Sequence, residues 1–393
     1  MHRITSSNPT RKIDMSIPSG EKQIILVLGA SYAGLSITHY LLKHTLASLP
    51  NHQIVLVNPT KDVMCRPACP RAMLSDTYFN QTKLFVDIPS QLSQYPSSHW
   101  TFLHGSSTSI DHKTRTAIIK LSTEGTSTTI HFHALVIATG ASTPSPLLSN
   151  GPDIRDAWRS FRTALPSAKN VVVAGGGPAG VECAGEIGAH LAGRGVSITL
   201  IITGTRILPS LRPAIADSAE KLLEGLGVRV IKDVKVVAFE NGMVRLSNGQ
   251  EMQADVYIPA TGTKPNTQFL APELLAEDGR VETNSRTLRV DAAGPRVYAL
   301  GDCSSAFRPA VHNIMAAVPV LAANMARDLR NEGGGADKLF EEDMRETQLV
   351  PVGRSKGVGA AMGWRLPSWL VWAIKGRDYW VWTTGRLWSG RQW

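Results

Sequence analysis

Two short glycine turns mark where this sequence can do chemistry. Gly29-Ala30-Ser31-Tyr32-Ala33-Gly34 follows the apolar run QIILVL and opens the helical pattern LSITHYLLKHTL. Gly175-Gly176-Gly177-Pro178-Ala179-Gly180 follows NVVVA and opens VECAGEIGAHL. A turn of this kind, set between a strand and a helix, points bare backbone N–H groups and the positive helix end at one spot, and a diphosphate fits there. The second run satisfies G-x-G-x-x-G in full, with Gly175, Gly177 and Gly180 at the glycine positions. The first carries Ser31 in place of the middle glycine, a residue small enough for close approach. Pro178 has no N–H, so it must stand where the phosphate needs no donor.

The ribose positions are less regular. A carboxylate usually ends the strand after such a turn and accepts the ribose hydroxyls. Asn58 stands there after the first turn and can accept through its carbonyl. After the second come Thr203, Gly204, Thr205 and Arg206, with no acid among them. An acid favours NADH and an arginine NADPH, so the choice of nicotinamide stays open. Glu182, in the first turns of the second helix, can reach the nicotinamide end or its ribose and is the candidate catalytic residue. Glu186, one helical turn later, shares its face. The competing reading for both is a solvated helix carboxylate.

The elements that position these turns repeat. QIILVL, the first helix and QIVLV (53–57) form one strand–helix–strand unit; NVVVA, the second helix and SITLII (197–202) form another. Such connections are right-handed and build parallel sheets. TAIIKL and TTIHFHALVIATG, with turn residues at Glu124-Gly125, read as a meander after the first unit. VRVIKDVKVVAFE and MVRLSNGQEMQADVYIPATG form the matching set after the second. Beyond Gly262 the chain reads as returning to the first unit through TLRV and RVYALGD, and NEGGGAD (331–337) reads as a linker. The expected division is a flexible tail at 1–20, a first dinucleotide domain at 21–150 with 284–345, a second at 151–283, and a Trp-rich region at 346–393.

Composition sets limits. With 393 residues, 43% of them hydrophobic, the chain can bury more than one core. Its net charge of +9 is spread along the sequence with no basic block, which argues against nucleic acid. The tract from Pro367 to Ile374 stops at Lys375, too short to span a bilayer. Four cysteines at irregular positions give neither a disulfide framework nor a metal pattern and fit a reducing, cytoplasmic setting. The Ser/Thr-rich, weakly basic residues 1–20 leave a mitochondrial targeting peptide open beside the plain tail.

The double glycine motif, the two Ala-Thr-Gly segments (138–140 and 260–262) and Ala-Leu-Gly301-Asp302 together resemble the pyridine nucleotide-disulfide reductase superfamily. More narrowly, LVNPTKDVMCRPACPRAML, VGRSKGVGAAMG and IKGRDYWV resemble the apoptosis-inducing-factor-like (AMID-like) flavoproteins, the group of the ferroptosis suppressor and many fungal relatives. The resemblance implies an α/β fold of two Rossmann-like, glutathione-reductase-type domains with a small C-terminal α+β region. It implies FAD in the first site and NAD(P)H in the second. It carries FAD contacts onto Gly29, Ala30, Ser31, Tyr32, Ala33, Gly34, Arg71, Ser107, Thr139, Gly140, Gly301 and Asp302.

Superfamily members with a redox dithiol keep it after the second strand, where Cys65 and Cys69 fall. Here the gap is three residues instead of four, Pro67 interrupts the helix, and no His-Pro dyad follows near the C-terminus, so two packing cysteines are expected. The acceptor implied is then a small molecule, a quinone or similar conjugated carbonyl. An intermediate of a secondary-metabolite pathway, or a flavoprotein acting by redox-dependent partner binding, are the alternatives.

Seven of the nine tryptophans lie between Trp364 and Trp393, interleaved with Arg365, Lys375, Arg377, Arg386 and Arg391. Core packing, a homodimer surface and a peripheral membrane contact are the three readings of that cluster.

Overall fold

The computed structural model describes residues 22–123, 125–149, 151–330 and 335–393. The expected tail at 1–20, Glu124 of the meander turn and residues 331–334 of the linker lie outside the described residues.

Both repeats fold as read. The strand Gln23–Leu28 pairs in parallel with His52–Asn58 on one side and Ala134–Ile137 on the other. Ile25, Leu26, Val27 and Leu28 are all buried, because a parallel strand covered on both faces needs a continuous apolar run, not alternation. The sheet has seven strands, in the order Val297–Ala299, Ala134–Ile137, Gln23–Leu28, His52–Asn58, Trp100–Asp111, Thr116–Leu121, Ser127–His131. Its last strands pair antiparallel and are the meander. The first-motif helix, Tyr32–His44, packs against the long helix Val311–Arg330.

The second unit is a four-stranded parallel sheet ordered Val228–Ile231, Ser197–Ile201, Asn170–Ala174, Val256–Pro259. The second-motif helix, Pro178–His190, packs on it. Val236–Glu240, Met243–Leu246 and Glu251–Gln253 form a separate antiparallel sheet.

Three expectations are corrected. Leu270, Leu274 and Val281 share a hydrophobic cluster with Leu26 and Ile137, so the return expected beyond Gly262 is made before residue 284, and the boundary expected there lies too late. TLRV forms no regular strand and makes only a bridge from Arg289 to Tyr298. Leu288 has φ +66°, which interrupts the extended backbone, while its side chain stays buried. Finally, Met64, Cys65, Cys69, Met73 and Phe85 pack in one cluster with Val171, Val173 and Ile187, so part of the span 21–150 belongs to the second unit's core.

The C-terminal region is α+β. Gln348–Val352, Lys356–Ala361 and Trp364–Arg365 form an antiparallel sheet, followed by the helical segments Ser368–Val371, Trp372–Gly376 and Val381–Trp388. Its tryptophans divide. Trp388 is 1% exposed, lies 4.7 Å from the Tyr32 ring, and its carbonyl accepts from His39 Nε2 at 2.8 Å. Trp364, Trp369 and Trp382 are exposed by half or more. No helix among the described residues is long and apolar enough to cross a membrane.

Candidate functional site

The sheet topology brings both glycine turns to one cavity of about 1420 Å³, larger than the roughly 300–1,000 Å³ of an ordinary small-ligand site. Its walls include Gly29 to Ala33, Gly175 to Ala179, Ser107, Thr139, Gly140, Gly301 and Asp302.

The turns are built by close packing. Gly29 has φ +96°, and a Cβ there would lie 2.3 Å from the Ala138 carbonyl oxygen. Gly175 has φ +125°, and its Cβ would lie 2.1 Å from the Ala260 oxygen. The repeated Ala-Thr-Gly segments therefore press on the first glycine of each turn, and no side chain is admitted. Gly34 and Gly180, expected as cofactor contacts, do not line the cavity. A Cβ on either would sit 1.7 or 1.9 Å from the carbonyl oxygen of Gly29 or Gly175, so their role is to let helix and strand touch.

Gly177 differs. It precedes the second-motif helix with φ −75°, and a Cβ there meets nothing within 4 Å. Gly177, Pro178 and Ala179 all line the cavity, so the helix start borders open space, as a pyrophosphate cradle requires. Ser31 holds the same place before the first-motif helix and makes no side-chain cap bond.

Two residues of the cavity wall each carry a buried polar atom with no partner among the described residues: Ser107 Oγ and Arg206 Nε. Buried donors and acceptors are normally paired, so a polar ligand fits both places. Asp302 also faces the cavity; burial raises its carboxyl, with the charge of Arg66 opposing. An acceptor there suits ribityl hydroxyls. The wall thus fits two dinucleotides, one at each turn.

The Arg71 expectation is corrected. Arg71 lies off the cavity, with Nη2 donating to Glu186 Oε1 at 2.7 Å and Nε to Oε2 at 2.9 Å. Nη1 donates to the Gly376 carbonyl at 2.7 Å, and Tyr379 Oη donates to Glu186 at 3.0 Å. Both charges of the pair are buried, so the guanidinium is fully committed inside the protein. Arg66, five residues earlier, does line the cavity, held by the carbonyls of Ala141 and Leu148 at 2.9 and 3.2 Å.

Asn58 lines the cavity, but its carbonyl oxygen accepts from the Ala30 N–H at 2.8 Å while its amide donates to Thr60. It fixes the first turn, and one acceptor site of that oxygen already serves the loop. Thr139 donates its hydroxyl to the Asn266 carbonyl at 2.7 Å and offers the cavity its backbone.

Glu182 lines the cavity yet is not solvated. Lys375 Nζ donates to its Oε1 at 2.6 Å and to the Leu349 carbonyl at 3.0 Å, and the ammonium lies 5.0 Å from the Trp380 ring. Burial raises the Glu182 carboxyl and Lys375 pulls it back down. Lys375, also on the wall, is not marked by the sequence as a site residue; its one signal is a lysine that ends an apolar tract within the IKGRDYWV match.

A sequence model of the pyridine nucleotide-disulphide oxidoreductase family matches residues 23–320. The chain belongs to this family. It is 51% identical to oxidoreductase phnG of Penicillium herquei, over 95% of this chain and 97% of that protein. It is 28% identical to ferroptosis suppressor protein 1 of Xenopus tropicalis, over 71% of this chain and 76% of the other. Among solved structures it is similar to the sulfide:quinone oxidoreductase of Aquifex aeolicus, with TM-score 0.74 at 16% identity, covering 94% of this chain and 92% of that one. Family membership makes this pyridine nucleotide-disulphide oxidoreductase an FAD-containing, NAD(P)H-using flavoprotein.

Proposed function

We propose that FAD lies along Gly29 to Ala33 with its ribityl chain at Asp302, that NAD(P)H lies at Gly175 to Gly177, and that electrons leave for a quinone or similar conjugated carbonyl. The observation that carries the acceptor class is the state of the thiols. Cys65 and Cys69 are buried and unbridged. Burial pushes the Cys69 thiol up to about 12 and raises Cys65 as well. The two sulfurs face different groups, Cys65 the Tyr379 carbonyl and Thr384 hydroxyl at 3.4 and 3.3 Å, Cys69 the Ser149 carbonyl at 3.9 Å. A thiol held protonated attacks no disulfide, so an acceptor that can dissociate takes the electrons. The quinone named for the Aquifex aeolicus enzyme of similar fold supports that choice.

When bound, the flavin supplies hydride acceptance from the nicotinamide and electron release to the second substrate. The protein's own part is binding and electrostatics. Glu182 holds the Lys375 ammonium in a poorly solvated wall, where a fixed positive charge favours negative charge developing on a bound ring. Trp388 and Tyr32 close one side of the first turn from water.

Cys65→Ala with Cys69→Ala is expected to leave quinone turnover within about twofold of wild type. The check is NAD(P)H consumption with a quinone panel. A variant that keeps flavin reduction but loses reoxidation would show that a dithiol carries the electrons. A wild-type protein that is reduced and never reoxidised by any quinone would sink the acceptor class.

A further inference from the structure

We infer that Arg206 recognises a 2′-phosphate, so that NADPH is the preferred donor over NADH. The inference rests on the second turn being the nicotinamide dinucleotide site. At such sites a carboxylate after the second strand accepts the ribose hydroxyls and repels a phosphate, whereas an arginine offers a fork that matches one.

The strand Ser197–Ile201 ends against the second turn, where the Gly175 N–H donates to the Ile201 carbonyl at 2.8 Å. Thr203, Gly204 and Arg206 then line the same cavity as Gly175 and Gly177, and no carboxylate stands among residues 202–206. The loop is fixed to the turn it serves: the Leu208 N–H donates to the Gly176 carbonyl at 2.7 Å, and Ile207 and Leu208 are buried. Arg206 is therefore placed by backbone bonds and buried neighbours, with its position set before any ligand arrives.

Its charge is unspent. Arg212 is taken by Glu346 and Lys232 by Glu220, each at 2.7 Å. Arg206 has no such partner among the described residues, and its buried Nε lacks any hydrogen-bond acceptor. Lys235, exposed on the neighbouring loop, adds a second cation to this wall. Asp233, the acid of that loop, gives its backbone N–H to the Gly204 carbonyl at 3.2 Å but does not line the cavity. An unpaired guanidinium beside a lysine, at the place where sugar specificity is decided, is the composition of a phosphate site.

The test is calorimetric binding of NADP⁺, NAD⁺, 2′,5′-ADP and 5′-AMP to the FAD-loaded protein. Wild type is expected to bind each 2′-phosphorylated ligand at least about tenfold more tightly than its counterpart. Arg206→Leu should erase that preference and leave NAD⁺ affinity in place, while Arg206→Lys should keep part of it. Equal affinity of wild type for NADP⁺ and NAD⁺ overturns the inference. So does an Arg206→Leu variant that weakens both ligands alike, since the residue would then serve the shared diphosphate or the fold. Failure of all four ligands to bind overturns the dinucleotide reading of the second turn itself, a result distinct from lost preference.

Discussion

Gly177→Val is expected to retain its yellow colour and to resist reduction by NAD(P)H. The substitution adds atoms only where the protein has none, because a Cβ at Gly177 has no neighbour within 4 Å and the residue already holds φ −75°, which valine tolerates. The fold should accept the side chain. The ligand should not, because the valine occupies the space in which a diphosphate must approach the N–H groups at the start of Pro178–His190. The first turn is untouched, so FAD content should match wild type.

Stopped-flow reduction, followed by flavin absorbance, is expected to slow by more than about a hundredfold, or about 3 kcal/mol at the transition state. Gly175→Val is the contrast: its Cβ would strike the Ala260 carbonyl at 2.1 Å in a backbone with φ +125°, and that variant should lose the fold along with the function. Wild-type reduction rates in Gly177→Val would remove the second turn from the nicotinamide pathway.

The second large effect concerns stability. Arg71→Met leaves the buried Glu186 carboxyl with the Tyr379 hydroxyl as its one remaining partner among the described residues. Breaking a buried pair from one side costs about 3–5 kcal/mol, whereas removing both charges costs far less. Arg71→Met should therefore unfold at clearly lower denaturant, and Arg71→Met with Glu186→Gln should recover most of the loss. The same arginine also ties down the Gly376 and Arg377 carbonyls, next to Lys375. The single variant should consequently reduce its flavin more slowly even where it remains folded. An Arg71→Met midpoint equal to wild type would mean that the pair holds nothing.

These two cases show what local sequence could and could not tell. Each glycine turn was legible because its requirements are local: an apolar run, small residues where backbone must touch backbone, and a helix beginning on the next residue. The same holds for the Ala-Thr-Gly segments, whose repetition reflects the same carbonyl pressing on Gly29 and on Gly175.

Arg71 and Arg66 lie five residues apart in CRPACPRA, and only the short helical turns there decide which one faces the cavity. Lys375 meets Glu182 across 193 residues, a contact that no spacing rule encodes. Asn58 was correctly placed at the strand end, but its carbonyl is claimed by the Ala30 N–H, a choice between two acceptable donors that only the folded loop makes. Leu288 looked like strand because it is apolar, and burial was satisfied without extension.

The segment from Met64 to Phe85 follows a strand of the seven-stranded sheet but fills the core behind the four-stranded one. The two nucleotide units are therefore not interchangeable cassettes. A hybrid that grafts the residue 151–262 unit onto a foreign flavin scaffold would arrive without Cys65, Cys69, Met73 and Phe85 and would show a hole in its interior where they belong. Any redesign of one half inherits the sequence of the other, and the unit to transplant is the pair.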